Sequence, residues 1–122
     1  MKHYRLKKDR FQRMKGGISR ILAICCGRCG TQVVVYQKDG IGKLKRCYLD
    51  RILDPPALAA LESDPVIISP KAMSRLTCTK CANVLGVPTR HHTGRLAFHL
   101  LPSAFAKHTW KGDQTATETP SV

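Results

Sequence analysis

Cys26-Gly27-Arg28-Cys29-Gly30 and Cys78-Thr79-Lys80-Cys81 decide how the rest of this chain is read. Each motif places two thiols three residues apart on a tight turn, where the side chains converge and backbone amides point at the sulfurs. One such turn offers one edge of a tetrahedron and two complete it, so Cys26, Cys29, Cys78 and Cys81 are the expected ligands of a single metal ion. In the first turn Gly27 and Gly30 supply conformational freedom, with Gly30 just after the second ligand, where a positive φ is often required. Ala82 and Asn83 follow the second turn instead; Asn tolerates left-handed geometry, and Ala is a departure.

The flanks of both motifs read as strands. Ile18 to Ile24 enters the first turn, and the β-branched run Thr31 to Gln37 leaves it. Lys38 to Gly42 carries Asp-Gly and a second glycine, which predicts a reversal into Lys43 to Ile52 and hence a β-hairpin whose second strand has apolar residues on both faces. Asp54 is the expected cap, and Pro55 and Pro56 the expected first turn, of a helix of about two turns over Ala57 to Glu62. Val66 to Ser69 is a short strand candidate, and Ala72 to Thr77 leads into the second cysteine pair. Asn83 to Val87 leaves that pair and is interrupted by Pro88, and Arg95 to Leu101 resumes as a strand or short helix. From Lys111 to Val122 there is almost nothing to bury, so this tail is expected to be disordered. The organisation expected is a basic arm over 1–17, a metal-bearing domain over 18–110 and a tail over 111–122.

Two knuckles clamping one metal resemble the zinc-ribbon or rubredoxin-like class, over roughly Ile18 to Val87, with CGRCG and CTKC as the motif. The resemblance implies a small β-rich (α+β) zinc ribbon with its knuckles on β-hairpins, and Cys26, Cys29, Cys78 and Cys81 as ligands of one zinc. The chain departs from the class in the long segment from Gly30 to Thr77, where the simplest spacing has roughly 15 to 20 residues. An inserted hairpin extension and one short helix account for it.

Cys25 and Cys47 are left over. Cys25 could replace Cys26 through a wider spacing, although Cys26 matches the second pair better; Cys47 is most simply a small buried hydrophobe. His91 and His92 are surplus as ligands once four cysteines are used, and fit a loop or phosphate contact. His99, in an apolar strand, fits a hydrogen-bonded core residue.

Twenty-one Lys and Arg against eight Asp and Glu give a formal charge of +13, a self-repelling balance that makes sense beside a polyanion. Four bound thiolates on one divalent ion remove only about two of those charges. The first twenty residues hold eight Lys or Arg and one acid, Asp9. Between His3 and Lys15 they predict a short basic helix with Tyr4, Phe11 and Met14 on one face and Gly16 and Gly17 as stop signals; a solvated arm is the alternative. Lys7, Lys8, Arg10, Arg13, Lys15 and Arg20, with Lys43, Lys45 and Arg46 on the hairpin and Arg28 and Lys80 inside the knuckles, could form one continuous phosphate-binding surface.

Nucleic acid, RNA ahead of DNA, is therefore the expected partner, as part of a ribonucleoprotein or transcription assembly. Recognition by shape and backbone is expected, because stacking aromatics are few and no base-reading signature is present. A zinc-stabilised protein-interaction module meeting an acidic partner is the alternative. An iron electron carrier of the rubredoxin kind is a third reading, disfavoured because those proteins are typically acidic and aromatic-rich. Catalysis is not expected: four thiolates leave a metal no open position, and there is no Gly-rich phosphate loop, no HExxH and no nucleophile and base pair.

No run of residues nears the roughly 18 needed to span a membrane, the longest being Ile21 to Cys26. The start lacks the apolar core of an export signal, so reduced thiolates and an intracellular, cytoplasmic location are expected. An organellar transit peptide is the alternative reading of the Arg-rich start.

Overall fold

The computed structural model describes residues 4–110. Strand β1 (Ser19–Cys26) and strand β2 (Gln32–Asp39) form an antiparallel hairpin from Ser19↔Asp39 to Cys25↔Gln32, with the first cysteine turn at its tip. Six consecutive residues of β2, Val33 to Lys38, are buried, so both faces of this strand are covered. Strand β4 (Ile52–Asp54) pairs with β2, and β8 (Phe105–Thr109) pairs with β1, giving the sheet order β4-β2-β1-β8.

A second antiparallel sheet has the order β3-β7-β6-β5 and contains β3 (Arg46–Tyr48), β5 (Leu76–Thr77), β6 (Val84–Arg90) and β7 (Leu96–Leu100). Here β5 and β6 form the hairpin that carries the second cysteine turn. Both cysteine pairs thus sit on β-hairpins, in a small β-rich domain. No helix among the described residues is long and apolar enough to cross a membrane.

The hairpin expected across Lys38 to Gly42 does not form. The chain leaves the first sheet at Asp39, and β3 joins the second sheet, with Arg46 opposite His99. Leu44, in the segment before β3, and Cys47, within it, are both buried in the apolar cluster that the second sheet shares with the first. The vacated edge of β2 is filled by β4, which follows a 3-10 turn over Leu49–Arg51. The two sheets are stitched where the Tyr48 amide donates to the hydroxyl of buried Tyr36 at 2.9 Å.

Other expectations change for local reasons. The inserted helix is present as α2 (Pro56–Ala59), continued by a 3-10 turn over Ala60–Ser63, but Asp54 lies in β4 and does not cap it; the Leu58 and Ala59 amides both reach the Pro55 carbonyl at 3.0 Å. Val66 to Ser69 is not a strand: the chain turns at Pro65 and Val66, where the Val66 amide donates to Asp64 Oδ1, and continues without regular structure. Strand β6 runs straight through Pro88. The Leu101 amide bonds Leu85 O, so by alternation the nitrogen of Pro88 faces the β5 side, where β5 has already ended and no ladder bond is lost. His99 is exposed, not a core residue.

The N-terminal helix is only α1 (Arg10–Met14). Asp9 caps it by accepting from the Phe11 and Gln12 amides, and Gly16 and Gly17, both at positive φ, end it. Tyr4, Phe11 and Met14 do not share a buried face: Phe11 lies under the Arg95 guanidinium, 4.1 Å from its ring centre, and Met14 is 71% exposed. The segment is tied to the sheets by polar contacts. Lys7 and Gln37 exchange backbone and side-chain hydrogen bonds, and Asp9 meets Arg51. The expected tail over 111–122 lies outside the described residues.

One apolar cluster joins both sheets, with Leu22, Ile24, Val34 and Tyr36 from the first meeting Cys47, Leu76, Leu85, Phe98 and Leu100 from the second. Each large apolar side chain so buried contributes roughly 1.5–3 kcal/mol. Cys26 and Cys78 belong to the same cluster, so the thiol site forms one end of the core.

Candidate metal centre

The sulfurs of Cys26, Cys29, Cys78 and Cys81 lie within 4.8 Å of one another, in a group that could hold one metal ion. Cys26 and Cys81 approach to 3.6 Å, and Cys29 and Cys78 to 3.5 Å. Four thiolates about 2.3 Å from a tetrahedral zinc stand about 3.8 Å from each other, so the cluster fits such an ion. Cys25 is not among the four; Cys47 is fully buried in the core, and burial alone pushes its thiol far up.

The two turns repeat each other bond for bond. The Arg28 amide donates to Cys26 Sγ at 3.3 Å, and the Lys80 amide donates to Cys78 Sγ at 3.4 Å. Gly30 N bonds Cys26 O and Ala82 N bonds Cys78 O; Cys26 N bonds Thr31 O and Cys78 N bonds Asn83 O. Gly30 (φ 78) and Ala82 (φ 63) occupy equivalent positions, and Ala82 is the one non-glycine residue at positive φ among those described. The left-handed conformation is therefore imposed by the knuckle and tolerated by Ala82 at a cost. Gly27 is glycine for a different reason from the one expected: a Cβ there would stand 2.9 Å from the Ala104 carbonyl carbon.

Asn83 is more than a residue tolerant of the turn. Its side-chain amide lies 3.6 Å from Cys26 Sγ and donates to Ala104 O at 3.2 Å, bridging the second knuckle to the first. Burial opposes ionisation of Cys26, yet the Cys29 and Arg28 amides, Asn83 and the Cys81 thiol bring it down to about 6. The Thr31 hydroxyl and amide lower Cys29. At Cys81 the Asn83 amide favours the thiolate, but burial and the three neighbouring sulfurs win and push it up to about 11. A divalent cation among the four sulfurs would offset the mutual repulsion that raises Cys81.

The expected basic residues divide into groups. Arg28 and Lys80 are exposed on the knuckles. Lys15, Lys43, Lys45 and Arg46 line a hollow of about 260 Å³ at the opposite end of the β1–β2 hairpin, about 23 Å away by strand length. Arg20 lies near that end, opposite Lys38 in the register. Lys8, Arg10 and Arg13 are exposed along the N-terminal segment, whereas Lys7 is engaged by Glu62 at 2.8 Å.

Lys38 and Arg95 also line the hollow, and the sequence reading singled out neither. Lys38 is 9% exposed, and its ammonium's partners among the described residues are carbonyls, Asp39 O at 2.9 Å and Gly40 O at 3.5 Å. Burial first, then the Lys15, Arg20 and Lys107 charges, draw its pKa down.

Comparison with protein-family models, with curated proteins and with solved structures finds no match. The chemistry of the site rests on its geometry.

Proposed function

We propose that this chain is a zinc-stabilised, ribbon-like β domain that binds nucleic acid, RNA ahead of DNA, as a component or accessory of a ribonucleoprotein or transcription assembly. The observation that carries this reading is the gathering of unneutralised cations: Lys15, Lys43, Lys45 and Arg46 line one hollow, and none has a carboxylate within 4 Å among the described residues. Phosphate backbones are the polyanions such a surface attracts. The longest described α-helix has five residues, too short to lie along a DNA major groove, which favours backbone and shape recognition.

The zinc is structural. Four thiolates complete its tetrahedron and leave no position for water or substrate, so no catalytic role is assigned. The basic surface then acts as a phosphate contact on a scaffold the metal holds rigid.

Two measurements on the same sample test the reading. Metal analysis should give one zinc per chain and no red iron chromophore. Binding to single-stranded RNA should weaken with salt at a log–log slope of roughly −4, as neutralising about six phosphates requires. A flat salt response removes the nucleic-acid reading. The second reading, a docking module for an acidic protein, draws on exposed Ile41, Val66 and Ile68, and would be favoured by partner capture that survives nuclease and loss of the basic segment.

A further inference from the structure

The hollow between the N-terminal segment and the second sheet is built differently from a solvated charged face. Six cationic side chains line it, Lys15, Lys38, Lys43, Lys45, Arg46 and Arg95, against one carboxylate, Asp39. Asp39 is already spent on other partners: Oδ2 accepts from Arg51 Nε at 2.8 Å, and Oδ1 from Ser19 Oγ at 2.7 Å and Gln37 Nε2 at 2.9 Å. Arg95 is neutralised by Asp50 at 2.8 Å. Five cations therefore remain without an acid within 4 Å among the described residues, and one of them, Lys38, is largely withdrawn from water.

The loop that closes the hollow is fixed. Gly40, at φ 78, donates to Ile18 O at 2.8 Å, and its Cα packs so near Lys15 that a Cβ would stand 3.1 Å from Lys15 Cβ. Beyond it, the amides of Ile41, Gly42 and Lys43 have no protein acceptor among the described residues. Of these three residues Gly42 and Lys43 line the hollow, so their backbone stands beside the lysine side chains there. Tyr48 also lines the hollow, but one face of its ring is taken by Arg95 at 3.8 Å, so the recess offers charge more than base stacking.

We propose that this hollow is a socket for a phosphate monoester, either the terminal phosphate of an RNA strand or the phosphate of a free mononucleotide. The choice of monoester follows from charge and shape. A phosphodiester within a strand carries one charge and two chains leaving in different directions, which suits an open surface. A monoester carries about −1.5 to −2 at pH 7, offers three oxygens and has one ester arm, which suits a recess with cations on several sides. At about 260 Å³ the space is just below the roughly 300–1,000 Å³ of pockets that enclose whole drug-sized ligands.

In its RNA form the socket deepens the function proposed above, and the test separates the two. Zinc-loaded full-length protein is titrated with oligouridine of about twelve nucleotides bearing a 5′-phosphate, a 3′-phosphate or neither, and with uridine monophosphate as competitor. The expected result is that one phosphorylated end binds about tenfold tighter than the hydroxyl oligomer, the scale of one or two added charge-assisted hydrogen bonds. The monophosphate should erase that difference. Lys43→Ala with Lys45→Ala should remove it too, in a variant whose circular dichroism and zinc content are unchanged. Equal affinity for phosphorylated and hydroxyl oligomers overturns the socket while leaving the nucleic-acid reading intact. Binding of the monophosphate without any oligomer upholds the socket and overturns that reading. A tenfold difference that persists in the folded double variant places phosphate recognition elsewhere and also overturns the proposal.

Discussion

Replacing Arg51 by Met should be among the most damaging single changes outside the cysteines. Arg51 is 1% exposed and meets Asp39 Oδ2 at 2.8 Å and Asp9 Oδ1 at 2.6 Å. Asp9 is 42% exposed, so its share is screened and contributes about 0.5–1 kcal/mol. The Asp39 share is larger because its side chain is 9% exposed: without the guanidinium, Ser19 and Gln37 are its remaining side-chain partners among the described residues. Breaking such a pair from one side costs about 3–5 kcal/mol, a large part of the roughly 5–15 kcal/mol that holds a small domain. Urea unfolding of the zinc-loaded protein measures it. Adding Asp39→Asn replaces the carboxyl that has lost Arg51 with a neutral amide, so the double variant should be more stable than Arg51→Met alone. A single-variant loss below about 1 kcal/mol, or a double variant less stable than the single, would refute the reasoning.

If the four clustered thiols hold the proposed zinc, Cys78→Ser should abolish metal stoichiometry and unfold the core, because structural zinc contributes on the order of 10 kcal/mol; Cys25→Ser should keep one zinc per chain by metal analysis. Ala82→Gly should raise the melting temperature, since relief of a left-handed alanine, about 1–2 kcal/mol, outweighs the roughly 0.5–1 kcal/mol of glycine entropy; a lower melting temperature would count against an imposed φ. The Arg51 side chain, more than any other group, holds the Asp9 carboxyl far below its ordinary 3.8. Its stabilisation is thus complete above about pH 4 and fades as pH falls towards the folded-state value, so the stability gap between wild type and Asp9→Asn should narrow in acid.

What the sequence could and could not reveal divides along range. The thiol site was legible because its logic is local: each knuckle is set by a cysteine spacing and the residue after it, and Ala82 stood out as a departure before its positive φ was seen. The absence of a hairpin across Asp39-Gly40 is not legible locally, because β3 takes its partner from β7, about fifty positions along the chain, and Asp-Gly marks a turn without naming the strand that follows it. Strand β8, FAKHT, has one β-branched residue and no strict alternation, so its pairing with β1 left no periodic signal. Arg51 carries no local signal of its burial, because the acids that meet it stand 12 and 42 positions away in the chain. The same holds for the cationic hollow, whose walls come from three separate stretches around Lys15, Lys38 to Arg46, and Arg95.

The hairpin β1–β2 gives these features a division of labour. At one end the thiol cluster fixes the strands to β5 and β6 through four sulfurs and the Asn83 bridge. At the other end Arg51 fixes the N-terminal segment through Asp9 and the end of β2 through Asp39, the residue that also borders the hollow. A metal held by the four thiols would therefore govern whether the core persists without touching the cationic hollow, and Arg51 can govern where Lys15 and Lys38 stand without touching the thiol cluster. Losing zinc should end binding by unfolding. Losing Arg51 in a variant that remains folded should weaken phosphate binding while the zinc stays, because a cation held in the wrong place attracts an anion without enclosing it.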